Sequence, residues 1–190
     1  MRIVGGRLGG RTVRAPKGEA TRPTSERARE AIASALDARG AIVDAQVLDL
    51  YAGSGALGLE MISRGAKRTL FVDRSAQATR SLTTSVRELG LGPEVEVLRA
   101  DVDKPKAQAA IVERGPFSLV LADPPYRDAE RAVRALEAMC EQGLVAQGAW
   151  ILLETSSKNR PLLTGRLAAA ANYRYGDTAV TFCRYGEEER

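Results

Sequence analysis

From residue 46 onward the apolar and polar positions alternate between two regimes. Runs of branched apolar residues mark strands at 46–51 (QVLDLY), 69–73 (TLFVD), 94–99 (EVEVLR), 117–122 (FSLVLA) and 149–154 (AWILLE). Between them, apolar residues recur at helical spacing over 56–64, 75–89, 104–114 and 129–142. Continuous apolar strands separated by helices predict a mostly parallel sheet covered by helices on both faces. The end of the chain differs. Strands near 171–175 and 179–184 flank a Gly-Asp turn, which predicts an antiparallel hairpin completing a seven-stranded α/β sheet.

The first 40 residues follow neither regime. Residues 2–16 (RIVGGRLGGRTVRAP) have short β-like pieces broken by two glycine pairs, the pattern of a small hairpin or extended arm. A helix begins within TRPTSERARE: Thr24 is placed to cap it, Glu26 lies in its first turn, and Ala28, Ala31, Ile32, Ala35 and Leu36 share one face. Gly40 stops it. The chain thus divides into an extension, 1–40, and an α/β domain, 41–190, ending in an acidic tail at Glu187–Glu189.

Charge sharpens this division. Residues 1–40 carry nine Lys/Arg against four Asp/Glu, whereas the remaining 150 carry 19 against 20. A basic extension on a near-neutral body suits a polyanionic partner, with Arg2, Arg7, Arg11, Arg14, Lys17, Arg22, Arg27 and Arg29 as candidate phosphate contacts. A solvated arginine-rich face accounts for the same count equally well. The chain has no histidine, which excludes a Ser-His-Asp triad and histidine metal sites. Cys140 and Cys183 lack metal-type spacing and read as packing thiols of a reduced cytoplasm. No apolar run approaches the length of a membrane span.

Chemistry concentrates in two loops. VLDLYAGSGALGLE places Gly53, Gly55 and Gly58 between a strand and a helix, the arrangement that lets a nucleoside cofactor approach the backbone. Asp73, at the end of the next strand, is positioned to accept from ribose hydroxyls. Asp49, four residues before Gly53, would repel a pyrophosphate but suits the cationic methionine moiety of S-adenosylmethionine (AdoMet). Asp101 would meet an adenine amino group, though it reads equally as a turn aspartate. The candidate cofactor contacts are Asp49, Tyr51, Gly53, Ser54, Gly55, Asp73, Arg74, Ala100 and Asp101, with no metal expected.

The second loop, Asp123-Pro124-Pro125-Tyr126, follows the fourth strand directly. An exocyclic amine on a nucleobase is a poor nucleophile because its lone pair is delocalised into the ring. Two acceptors, the Asp123 carboxylate and the Pro124 carbonyl, would hold both amine hydrogens and aim the lone pair at a methyl group. The prolines fix the backbone and remove competing donors, while Tyr126 would stack on the base. A stacked base cannot reach such a loop, so the target must be unpaired or flipped out.

These residues resemble the class I AdoMet-dependent methyltransferases that act on amino groups. MRIVGGRLGGR, TRPTSERARE, LDLYAGSGALGLEMISRGA, FVDRS, LADPPY and GDTAVTFCRY together resemble the RsmD family, which methylates N2 of a guanine in bacterial 16S rRNA. The resemblance implies a Rossmann-like fold, AdoMet held by Asp49, Gly53, Gly55, Asp73 and Asp101, and a guanine held by Asp123, Pro124 and Tyr126. It implies as substrate 16S rRNA within an assembled or nearly assembled 30S particle; a monomeric enzyme is expected. Two positions depart from the family pattern: Ser85 where asparagine is common, and Ser118 where aspartate is common. Rival expectations are a DNA adenine-N6 or cytosine-N4 methyltransferase, an NAD-dependent oxidoreductase, a protein-glutamine methyltransferase and a non-catalytic RNA-binding assembly factor.

Overall fold

A computed structural model describes residues 1–14, 25–158, 160, 161, 163, 167 and 169–186. Seven strands form one sheet: β1 (Gln46–Leu50), β2 (Arg68–Asp73), β3 (Val95–Arg99), β4 (Phe117–Ala122), β5 (Val145–Ser156), β6 (Ala169–Tyr175) and β7 (Thr178–Arg184). Their order is β3-β2-β1-β4-β5-β7-β6. The first five run parallel, and β7 joins β5 and β6 antiparallel. This is the expected mostly parallel Rossmann-like sheet with a C-terminal hairpin. The helices are α1 (Glu26–Asp37), α2 (Ala56–Ser63), α3 (Ala76–Glu88), α4 (Pro105–Val112) and α5 (Ala129–Glu141).

The alternation of side chains along the central strands divides the interior into two layers. Val47, Leu119 and Leu121 join Ile32 and Leu36 of α1, Leu59 and Met61 of α2, and Leu82 of α3. Leu48, Leu50, Val120 and Ala122 face Ile111 of α4 and Val133, Leu136 and Met139 of α5. Strands buried on both faces need apolar residues at successive positions, which is why β1 and β4 read as continuous runs. Asp49 is the exception: a buried carboxylate in the layer that Val47 also faces.

The strand β5 begins earlier than its apolar run. Phe117 pairs with Val145, but Leu119 pairs with Trp150, so the register shifts between them. Gly148, at φ +74°, sits in this irregular stretch, where Gln147-Gly148 interrupts the apolar pattern. The helix α1 is capped by Ser25, whose side chain accepts from the Ala28 N–H, rather than by Thr24. Thr24, Lys17 and Arg22 lie outside the described residues.

The arm of residues 1–14 is a hairpin closed by one antiparallel bridge, Arg2 to Thr12, around a 3-10 turn at Gly6–Leu8. Its apolar residues Ile3, Leu8 and Val13 are buried in the same layer as α1–α3. Fully buried Glu60 on α2 accepts from the N–H groups of Val4 and Gly5, both at 2.8 Å, and from Arg64 Nε at 2.9 Å. Ser63 Oγ accepts from Leu8 N–H at 2.9 Å, and buried Ser85 Oγ on α3 accepts from Arg14 N–H at 3.0 Å. Ser85 thus has a structural task, as does Ser118, whose Oγ accepts from Gln46 N–H at 3.1 Å.

Candidate functional site

Strand order reverses at β1, which pairs with both β2 and β4. Ligands of open α/β sheets bind at such a switch point, beyond the carboxyl ends of the strands. Both candidate loops lie at this edge, one after β1 and one after β4.

The three loop glycines have different tasks. A Cβ on Gly55 (φ +72°) would come within 2.4 Å of Leu82 Cδ1, and one on Gly58 within 2.5 Å of Phe71 Cε1 and 2.6 Å of Asp49 Oδ2. These two let α2 pack against the sheet. Around Gly53 (φ +54°) the nearest atom to an added Cβ is the Tyr51 carbonyl oxygen at 3.9 Å, so its backbone borders open space. Tyr51 itself adopts φ +57°, an uncommon conformation for a side-chain-bearing residue. Its hydroxyl is buried with no hydrogen-bond partner among the described residues, and burial pushes its pKa up, with Asp103 and Asp128 adding to the shift.

Asp73 organises this loop. One carboxylate oxygen accepts from Gly53 N–H and the other from Ser75 N–H, each at 2.7 Å. Each oxygen retains a second lone pair, as a ribose diol requires. The Ala100 N–H donates to the Asp73 carbonyl at 3.0 Å, bringing the end of β3 alongside. Asp101 Oδ1 accepts from Asp103 N–H at 3.3 Å, the contact of a turn aspartate. Ser54 Oγ donates to Met1 Sδ at 3.4 Å, so the arm touches the glycine loop.

Asp49 accepts from Gly58 N–H at 3.0 Å. Burial raises its pKa well above the usual carboxylate range; the Gly58 hydrogen bond opposes this, while Asp123 and Asp73 add to it. A charge on Asp49 is thus costly by itself; an adjacent cation would offset that cost, whereas a pyrophosphate would add to it. The residues present therefore fit AdoMet: an open backbone cradle at Gly53, a diol acceptor at Asp73 and an anionic surround for a sulfonium and an ammonium.

Asp123 continues the ladder, its N–H donating to the Leu50 carbonyl at 3.5 Å, and its side chain is exposed beyond the strand end. Surrounding protein nonetheless displaces enough water to push its carboxyl up to about 6. Pro124 is buried. The Pro125 carbonyl accepts from Asp128 N–H at 2.7 Å, closing the 3-10 turn Tyr126–Asp128 that leads into α5. Tyr126 is 44% exposed, and its hydroxyl lies 3.1 Å from Thr178 Oγ1 on β7.

Asp128 joins three loops at this edge. It lies 3.8 Å from Arg74 after β2 and 3.8 Å from Arg131 on α5, and Arg131 reaches Asp103 after β3 at 2.7 Å. Asp103, Asp128, Arg131 and Thr178 carry no motif signal; only the sheet order brings them to the site. An open groove lined by Gln46, Lys67, Arg68, Pro93 and Glu94 lies at the opposite edge, where β1, β2 and β3 begin. Among the described residues no cluster of three or more His, Cys, Asp or Glu is suited to a metal ion.

The basic arm is less free than its charge implies. Arg7 pairs with Glu94 at 3.1 Å, Arg11 donates to the Glu88 carbonyl at 3.0 Å, and Arg14 grips the Glu88 carboxylate with two nitrogens. All three contacts are exposed to solvent. Arg27 is exposed on α1. Arg29 is not a phosphate contact: it is buried and donates to the Arg2 carbonyl at 2.8 Å, tying α1 to the arm.

Residues 1–184 match the family described as Conserved hypothetical protein 95. Ribosomal RNA small subunit methyltransferase D of Escherichia coli (strain K12) is 34% identical over 162 residues, spanning 84% of this chain and 76% of that protein. The solved structure of yhhF from Escherichia coli has a TM-score of 0.80 at 29% identity and covers 99% of both chains. An RNA methyltransferase from Salinibacter ruber, solved with S-adenosyl-L-homocysteine, shares the fold at 16% identity, with a TM-score of 0.65 over 88% of this chain and 96% of that one.

Proposed function

Because this chain belongs to the Conserved hypothetical protein 95 family, that of the RsmD-type rRNA methyltransferases, we propose that it transfers the methyl group of AdoMet to the exocyclic N2 of a guanine in 16S rRNA. The observation that carries this reading is the Asp123-Pro124-Pro125-Tyr126 loop standing across the β1/β4 switch point from the Asp49–Asp73 cradle.

Bound AdoMet supplies an activated methyl on a sulfonium, so no strong base is needed to begin the reaction. The ionised Asp123 carboxylate accepts one hydrogen of the guanine amine. The Pro125 carbonyl is already engaged by Asp128 N–H, so the second hydrogen goes to Pro124. With both hydrogens held, the nitrogen becomes pyramidal and its lone pair faces the methyl. Methylation makes the nitrogen proton acidic, and it leaves by way of Asp123. Tyr126 stacks on the extruded base, and Asp49 and Asp73 would hold the cofactor's cationic and ribose ends.

Residues 1–40 act as the RNA-facing extension of the catalytic domain, 41–190. Arg7, Arg11, Arg14, Arg22 and Arg27 are the phosphate contacts, and the exposed pairs with Glu88 and Glu94 are weak enough to exchange for phosphates. The substrate is 16S rRNA in the 30S subunit or an assembly intermediate, met by a monomer in the cytoplasm. The buried thiols of Cys140 and Cys183 are compatible with that compartment.

Transfer of labelled methyl from AdoMet to 30S subunits lacking the modification, naked 16S rRNA and duplex DNA tests this, with the product identified by nucleoside mass spectrometry. N2-methylguanosine from the subunits alone is expected. Label in DNA or on adenine N6 would overturn the rRNA assignment, and AdoMet binding with no transfer would favour a non-catalytic assembly factor.

A further inference from the structure

The hydroxyl of Thr178 is 52 positions from Tyr126 in sequence yet within hydrogen-bond distance of it. The sheet order explains this. Two places from β4, beyond β5, β7 runs antiparallel to β5, so its first residue stands where β4 and β5 end. Thr178 pairs with Ser156, the last residue of β5, and Ser157 N–H donates to the Asp177 carbonyl at 2.8 Å, which fixes the hairpin turn to that edge. The hairpin therefore stands as a backbone-paired wall beside the catalytic loop.

Tyr126 needs such a wall. It sits on a three-residue 3-10 turn, and its ring is substantially exposed. Stacking depends on the plane of the ring, and an exposed tyrosine samples several side-chain rotamers. The hydrogen bond fixes the axis of the ring, and because a phenol hydrogen bond lies close to the ring plane it also restrains rotation about that axis. We infer that Thr178 is a positioning residue, whose hydroxyl holds the Tyr126 ring in the orientation that receives the target base. This rests on the reading of Tyr126 as the base-stacking residue. The backbone pairing of Thr178 with Ser156 does not involve the hydroxyl, so the proposed role is separable from strand formation.

The test is single-turnover methyl transfer to 30S subunits lacking the modification, at saturating AdoMet, with AdoMet affinity and melting temperature measured in parallel. Thr178→Val and Tyr126→Phe are each expected to slow transfer roughly 3- to 10-fold, the loss of one hydrogen bond. The double variant should be no slower than either single one, Thr178→Ser should restore the rate, and AdoMet affinity should not change. Wild-type rates for Thr178→Val and Tyr126→Phe, or additive losses in the double variant, would overturn the inference. If Thr178→Val does not fold, Tyr126→Phe removes the same bond from the loop side and decides alone. Tyr126→Ala separates the two layers of the argument: an unimpaired rate there would sink the stacking role itself, whereas a collapse with a silent Thr178→Val would sink only the positioning role.

Discussion

The two halves of the site are built on opposite plans. The cofactor half is assembled from backbone: Asp73 bridges two amides, Asp49 takes a third, and Gly55 and Gly58 sit where any side chain would collide with Leu82 or Phe71. The target half is an exposed turn held by peripheral side chains, Thr178 on one side and the Asp128–Arg131–Asp103 contacts on the other. A small cofactor is the same in every turnover, so its cradle gains from rigidity. A base arriving on a large folded RNA needs access, and the loop that receives it is left open to solvent.

This contrast can be broken from the target side first. Asp123→Ala should lower turnover on the order of 100- to 1,000-fold, as for removal of one preorganised electrostatic contact, while AdoMet affinity by calorimetry and the melting temperature stay near wild type. A comparable loss of AdoMet binding would show that the halves are not separable.

The cofactor half should fail in the reverse manner. Gly55→Ala combines a strained φ with a Cβ 2.4 Å from Leu82, and should cost about 2–4 kcal/mol of stability by chemical denaturation. Gly53→Ala meets open space and should cost only about 1 kcal/mol, yet weaken AdoMet binding. Equal destabilisation by the two would contradict their different surroundings.

The two halves also differ in their response to pH. Asp123 must be ionised to accept from the amine, and its carboxyl is pushed up to about 6, so turnover should be level above pH 7 and about tenfold lower at pH 5. Stability from this group runs the other way. The folded form binds its proton more tightly than the unfolded chain, so this contribution is present at low pH and lost as pH rises through about 6. A pH–rate profile with no inflection between 5 and 7 would remove Asp123 from the chemistry.

The smallest effect is expected from the arm. Changing Arg7, Arg11 and Arg14 together to glutamine should weaken RNA binding several-fold and flatten its salt dependence by about 2 in log–log slope, leaving AdoMet affinity intact. An unchanged salt slope would mean that these arginines serve only Glu88 and Glu94.

What the sequence discloses follows from how far each signal reaches along the chain. The parallel strands and both loops are legible because their causes are local: continuous apolar runs, glycines at fixed spacing, an acid and two prolines after a strand. The onset of β5 is not, because the irregularity at Gln147-Gly148 breaks the pattern just where pairing with Phe117 begins. Arg29 reads as surface charge, but folding buries it against the carbonyl of Arg2. Glu60 and Thr178 give no local signal, since their partners lie 55 or 56 and 52 residues away.

Glu60 also bears on whether the arm can be removed or grafted as a module. Its carboxylate is solvated not by water but by the amides of Val4 and Gly5, together with Arg64. A chain shortened past Gly5 would leave that charge without two of its three donors inside the protein. The arm is thus seated on α2 by a buried carboxylate, and a chain without it would have to hydrate that acid or replace it.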